Sequence, residues 1–205
     1  MFQEYEIEIK GVAPVLMHNG QLVDNRNAFV KEMKRYTSRR TKTDEDSETL
    51  QHLEWCGGLY FTGNAQIDNG QVTFSKDSKV IMPSDNLWSC IVDGSKAMKL
   101  GNKFKAALLI DNDGEFIHDG SKDLNALASD LNYHSRKRAG IKGSGIMRVR
   151  PIFRNWAVKF RATIDTEQVD AEQLRESIMH AGSRNGLCDW TPRYGRFELS
   201  SLKAV

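Results

Sequence analysis

No apolar run in the 205-residue chain approaches the roughly 20 residues of a membrane-spanning helix, which excludes an α-helical integral membrane protein. Cysteine is scarce. Cys56, Cys90 and Cys188 are widely separated, odd in number and without Cys-x-x-Cys spacing. Neither a disulfide framework nor a zinc knuckle follows from them, and free thiols in a reducing compartment are expected. The five histidines, His18, His52, His118, His134 and His180, lack metal-ligand spacing, so no metal or other cofactor is expected. No secretory leader is evident either, because the chain opens on a strand pattern and not on an apolar core behind basic residues. A cytoplasmic protein is expected. Internal repeats and low-complexity linkers are also missing.

What is present is a globular balance of 40% hydrophobic and 27% charged residues, which sets aside disordered, collagen-like and coiled-coil chains. The net charge is only +2, but the charges are segregated. From Arg136 to Arg161 the chain carries nine basic residues and no acid, and Lys31, Lys34, Arg35, Arg39, Arg40 and Lys42 are opposed only by Glu32. Such runs are either solvated faces or local fields for an anionic polymer. Aromatics and glycines interleaved with them favour the polymer.

Glu4, Glu6 and Glu8 alternate with Tyr5, Ile7 and Ile9 and predict a first strand over 4–10. A helix is expected over 27–37 with Ala28, Phe29 and Met33 inward, and Thr43 with Asp46 forms a capping box for a second helix ending at Gly57-Gly58. A strand is expected from Leu59, and Asn69-Gly70 between Ile67 and Val72 signals a hairpin. Val80–Met82 reads as a strand, Ser84 as the cap of a helix reaching about Met98, and Lys105–Ile110 as another strand. Asp111–Gly120 reads as a turn with a small hairpin, followed by a short helix and a basic, glycine-bearing loop from Ser135 to Gly145. Met147–Phe153 and Trp156–Ile164 are predicted strands. Thr166 is expected to cap a helix over 167–180 that Gly182 stops, before a last strand from Arg196 to Leu199. The order describes a single α+β domain over 1–205 with insertions at about 14–56 and 111–145, compatible with a ferredoxin-like core.

The segment from Ala181 to Phe197 carries the most chemistry. Its glycines permit close backbone approach, Arg184, Arg193 and Arg196 suit phosphates, and Trp190 and Tyr194 offer stacking planes. The competing reading is a turn whose two rings plug the core. Arg148 and Arg150 share one face of a strand and Lys142 sits between glycines, as a phosphate track or as charges guarding a sheet edge. Lys34, Arg35, Arg39 and Arg40 are candidates of the same kind, at a helix end that also tolerates cations for its own sake.

The helix ending at Gly182, followed by a Gly/Arg loop that closes Arg193-Tyr194-Gly195-Arg196-Phe197 into a last strand, resembles the glycine-rich loop of the repeat-associated mysterious proteins, the RNA-binding subunits of CRISPR effector complexes. Val80-Ile81-Met82-Pro83-Ser84-Asp85-Asn86-Leu87 resembles that superfamily's strand–Pro–Ser–Ser–Leu–Lys–Gly turn, with Asp85, Asn86 and Trp88 departing from it. The chain also resembles proteins encoded by tailed phages. These resemblances imply a modified ferredoxin-like (RRM-type) fold, binding of single-stranded RNA or DNA, side-by-side homo-oligomers or filaments, and the cytoplasm of an infected host. They also imply a role in phage replication, recombination or defence. His18, after the first strand, stands where some CRISPR endoribonucleases of the superfamily keep a general base. A metal-independent ribonuclease is therefore the alternative, and a protein-interaction module with basic faces a third. Asp111 and Asp113 read as a turn, and Asp44 with Asp46 as capping residues.

Overall fold

The computed structural model describes residues 1–141 and 144–205. In chain order its elements begin with β1 (Phe2–Gly11), β2 (Val15–Leu16), α1 (Ala28–Thr37), α2 (Asp44–Gly58), β3 (Ala65–Asp68), β4 (Gln71–Phe74), β5 (Ile81–Met82) and α3 (Ser84–Ser95). There follow α4 (Gly101–Ala107), β6 (Leu108–Leu109), β7 (Gly114–His118), α5 (Leu124–Ser129), β8 (His134–Ile141), β9 (Ser144–Phe153), β10 (Trp156–Asp165), α6 (Ala171–His180) and β11 (Phe197–Ala204). Helices and antiparallel sheets mix in an α+β arrangement. Among the described residues no helix is long and apolar enough to cross a membrane.

The chain divides into two compact units, one of Met1–Leu16, Ile81–Asp119 and Phe153–Val205, the other of Met17–Val80 and Gly120–Ile152. Of the expected insertions, positions 17–56 and 120–145 fall in the second unit.

In the first unit, period-two patterning decides the sheet. Tyr5, Ile7 and Ile9 of β1 and Trp156, Val158, Phe160, Ala162 and Ile164 of β10 are buried, while the intervening residues face away. The strand order is β11-β1-β10-β7-β5, with β6 also on β10 and these neighbours paired antiparallel. Helices α3 and α6 lie on the apolar face, where Leu87, Ile91 and Ile178 meet Ile9, Phe160 and Phe197. Ser177 Oγ ties the two helices by donating to Ile91 O at 2.6 Å. Truncating a core ring such as Phe160 to alanine is expected to cost about 3–5 kcal/mol.

Local chemistry corrects several expected boundaries. Pro83 and not Ser84 is the cap of α3, and the Ser84 amide bonds the Asp113 side chain at 2.9 Å. The segment from Lys105 is helical to Ala107, because Phe104, Ala107 and Leu108 are all buried at helical spacing. Asp170 with Gln173, and not Thr166, forms the box that opens α6. Gly182 does not stop that helix. The backbone widens into a π turn over Ala181–Asn185 and ends at Gly186.

In the second unit, Thr43 and Asp46 form both halves of the predicted capping box of α2. Phe29, Val30 and Tyr36 are buried on α1, whereas Ala28 is exposed. Asn69 and Gly70, both at positive φ, make the two-residue turn between β3 and β4. The expected strand at Leu59 reduces to one bridge, Phe61 with Val80. Residues from Ser135, expected in a loop, belong to β8, whose register on β9 runs from His134 opposite Pro151 through Lys137 opposite Arg148. Trp55, fully buried, donates to Tyr133 O at 2.8 Å and stacks on His134 with centroids 5.2 Å apart.

Candidate nucleic-acid interface

The loop that follows α6 is drawn shut at its base. Leu187, buried, donates from its amide to Gly195 O at 2.9 Å. Gly195 has φ 73°, and a Cβ there would run into Leu187 O, so only glycine closes the neck. The same loop is bonded to the segment after β1: Gly195 N to Pro14 O at 2.8 Å, Asp189 N to Leu16 O at 2.9 Å, and Val12 N to Arg196 O at 2.9 Å. From below, Cys90 Sγ donates to Gly186 O at 3.3 Å and Cys188 Sγ contacts Met82 Sδ at 3.6 Å. Burial pushes the Cys90 and Cys188 thiols up to about 12, so they are inert packing groups and not nucleophiles.

Above this neck Trp190, Arg193 and Tyr194 come together, whereas Arg184 lines the groove between α6 and β11. Trp190 adopts the left-handed backbone region, φ 57°, which costs an L residue roughly 1–2 kcal/mol. Its side chain is nevertheless 38% exposed. The Tyr194 ring lies 6.3 Å from the indole, tilted by 55°, and the Arg193 guanidinium is 5.7 Å from the Tyr194 centroid. Arg196 Nε donates to Pro192 O at 2.8 Å, bracing the loop from one side. Arg184 is exposed on the π turn, just before the neck. These five expected residues share one unit, and Trp190, Arg193 and Tyr194 form one contiguous surface.

The remaining candidates belong to the other unit, and their chemistry differs. Arg148 Nη1 pairs with the buried Glu54 at 2.6 Å. Arg39 pairs with the buried Asp46 and lies 4.6 Å over the Tyr36 ring, while Arg35 pairs with Glu32 at 2.9 Å. Lys34 donates to Asn25 at 2.9 Å. Arg40 is exposed, Arg150 is half-buried, and Lys142 lies outside the described residues. Local charge gives no sign of Glu54, 94 positions from the Arg148 it holds, whereas the Asp46 that holds Arg39 is seven positions on. Lys137, opposite Arg148 across the β8–β9 pair, is a cation on the same face that the expected site lacks.

The basic run also loses two members to β1. Arg161 bonds Glu6 at 2.6 Å and lies 3.8 Å from Glu4, and Lys159 is 3.7 Å from Glu8. The open face of the first unit's sheet, with a hollow of about 520 Å³ lined by Glu6, Glu8, Glu115, Lys159 and Arg161, is therefore of mixed charge. It is not a cationic track.

His18 accepts from the Tyr60 hydroxyl through its backbone carbonyl at 3.1 Å. Among the described residues no group of three or more His, Cys, Asp or Glu is placed to hold a metal ion. No protein-family model matches the chain, and no curated protein matches it.

Proposed function

We propose that the chain binds single-stranded nucleic acid, RNA or DNA, through the loop Gly186–Arg196 and the π turn before it, with Arg193 and Arg184 on phosphates and Trp190 and Tyr194 against bases. One observation carries the reading. A bulky indole is held in a strained backbone conformation and left exposed beside a second ring and a guanidinium, on a loop whose base is hydrogen-bonded on both sides. Strain retained in a well-braced loop is a recurring property of binding sites. The resemblance to CRISPR RNA-binding subunits supports the same reading. So does the strand order β11-β1-β10-β7 with α3 and α6 on one face, which we take as an RRM-type, ferredoxin-like core. In the second unit, the β8–β9 pair carries Lys137 and Arg150 on one face. Side-by-side assembly on a strand and a phage setting belong to this reading through the resemblance alone.

The test is a titration of a single-stranded oligonucleotide, followed by tryptophan fluorescence at several salt concentrations. Log affinity should fall linearly with log salt, and Arg193→Ala and Arg184→Ala should each flatten the slope by about one. No binding at low salt, or a flat dependence, removes the proposal.

A further inference from the structure

Strand β11 is the outer strand of its sheet and, among the described residues, pairs only with β1. Its core reads Glu198-Leu199-Ser200-Ser201-Leu202-Lys203, which is self-complementary when laid antiparallel on itself. Turned about a two-fold axis between Ser200 and Ser201, Glu198 faces Lys203 of the second copy, Leu199 faces Leu202, and Ser200 faces Ser201. In a regular strand this would fail, because residues five apart point to opposite faces. A bulge at Ser200 corrects it. Glu8 is opposite Ser201 while Ile9 is opposite Leu199, so one residue is inserted between them. Glu198, opposite Lys10, and Lys203, opposite Glu6, then share the face of the β1 glutamates. Leu199, opposite Ile9, and Leu202, opposite Ile7, share the helix-covered face.

A second observation lies beside this edge. A groove of about 580 Å³ runs between α6 and β11, with Met179, Phe197 and Leu199 as its apolar lining. Met179 is 53% exposed there. A strand added to β11 lays its own leucines on that side.

We propose that β11 is a homodimer interface, with two copies joining their sheets edge to edge about a two-fold axis and two Glu198–Lys203 pairs setting the register. The pairing is isologous and therefore closes at two copies. Strand addition of this kind draws its affinity from backbone hydrogen bonds and its specificity from opposed side chains. The proposal does not depend on nucleic-acid binding.

Charge reversal tests it by sedimentation velocity over a concentration series of the full chain. The wild type should show a reversible monomer–dimer equilibrium. Glu198→Lys sets Lys against Lys at both ends, and Lys203→Glu sets Glu against Glu, so each variant alone should dimerise roughly tenfold more weakly. Mixed in equal amounts, the two variants regain both opposite-charge pairs and should recover the dimer as a heterodimer. Circular dichroism melts confirm that each variant is folded. A wild type that stays monomeric at its highest soluble concentration overturns the proposal, as does a dimer indifferent to the single reversals. A mixture that stays as monomeric as its components does the same.

Discussion

The carboxylate of Glu54 is shared between a side chain and a backbone: Oε1 lies 2.6 Å from Arg148 Nη1, and Oε2 accepts the Val149 amide at 2.8 Å. A buried acid on α2 thereby fixes the position of β9 within its unit. Glu54→Ala leaves the Val149 N–H without that acceptor and is expected to cost about 2–4 kcal/mol, measured by urea unfolding. Arg148→Ala should cost less, about 1 kcal/mol, because that side chain is 47% exposed and water replaces part of the lost pairing. Equal losses for the two variants would show that the amide bond contributes little.

The loop ring can be separated from the fold. Trp190→Gly removes the stacking surface and relieves the left-handed backbone, so the melting temperature should hold or rise. Oligonucleotide affinity should drop by the worth of one stacked base, about 1–3 kcal/mol. Trp190→Phe should retain most of the affinity. A large fall in melting temperature for the glycine variant would identify the indole as packing.

Two histidines of the second unit make stability depend on pH. Burial lowers the pKa of His52, and burial, with Arg136 and His52 nearby, lowers that of His134 against the opposing effect of its bond to Ala128 O. With folded values below the unfolded 6.5, the unfolded chain takes up protons first as pH falls. The stabilisation is complete above 6.5, declines as pH drops through it, and levels off once the folded forms titrate. Urea midpoints between about pH 7.5 and 5 should fall for the wild type and fall less for His134→Gln. A midpoint independent of pH would contradict the burial of both rings.

The sequence announces β1 and β10 because each is covered on one face only, which writes burial as a strict alternation. The capping box at Thr43 and the Asn69-Gly70 turn are equally legible, since each is a local hydrogen-bond or backbone requirement. Helix α4 escapes notice because its apolar residues sit at a helical spacing that ends in the β-like run Leu108–Ile110. The basic residues of β8 hide a strand because glycine and like charge argue for a loop until a partner strand is known. Within the candidate interface, the convergence of Trp190, Arg193 and Tyr194 follows from their closeness in sequence. The neutralisation of Arg148 by Glu54 and of Arg161 by Glu6 does not, because ion pairs across 94 and 155 positions leave no local trace.

Strand β1 lies between β10 and β11, so it ends at Gly11 but finds its neighbours only from Trp156 onward. During synthesis both of its edges stay unmatched until most of the polypeptide has emerged from the ribosome. Such sequence-distant pairing slows folding and leaves Tyr5, Ile7 and Ile9 open to wrong partners meanwhile. The glutamates that alternate with them outnumber Lys10 and give the nascent segment a net negative charge, and so keep it from sticking to other copies of itself before its own partner strands arrive.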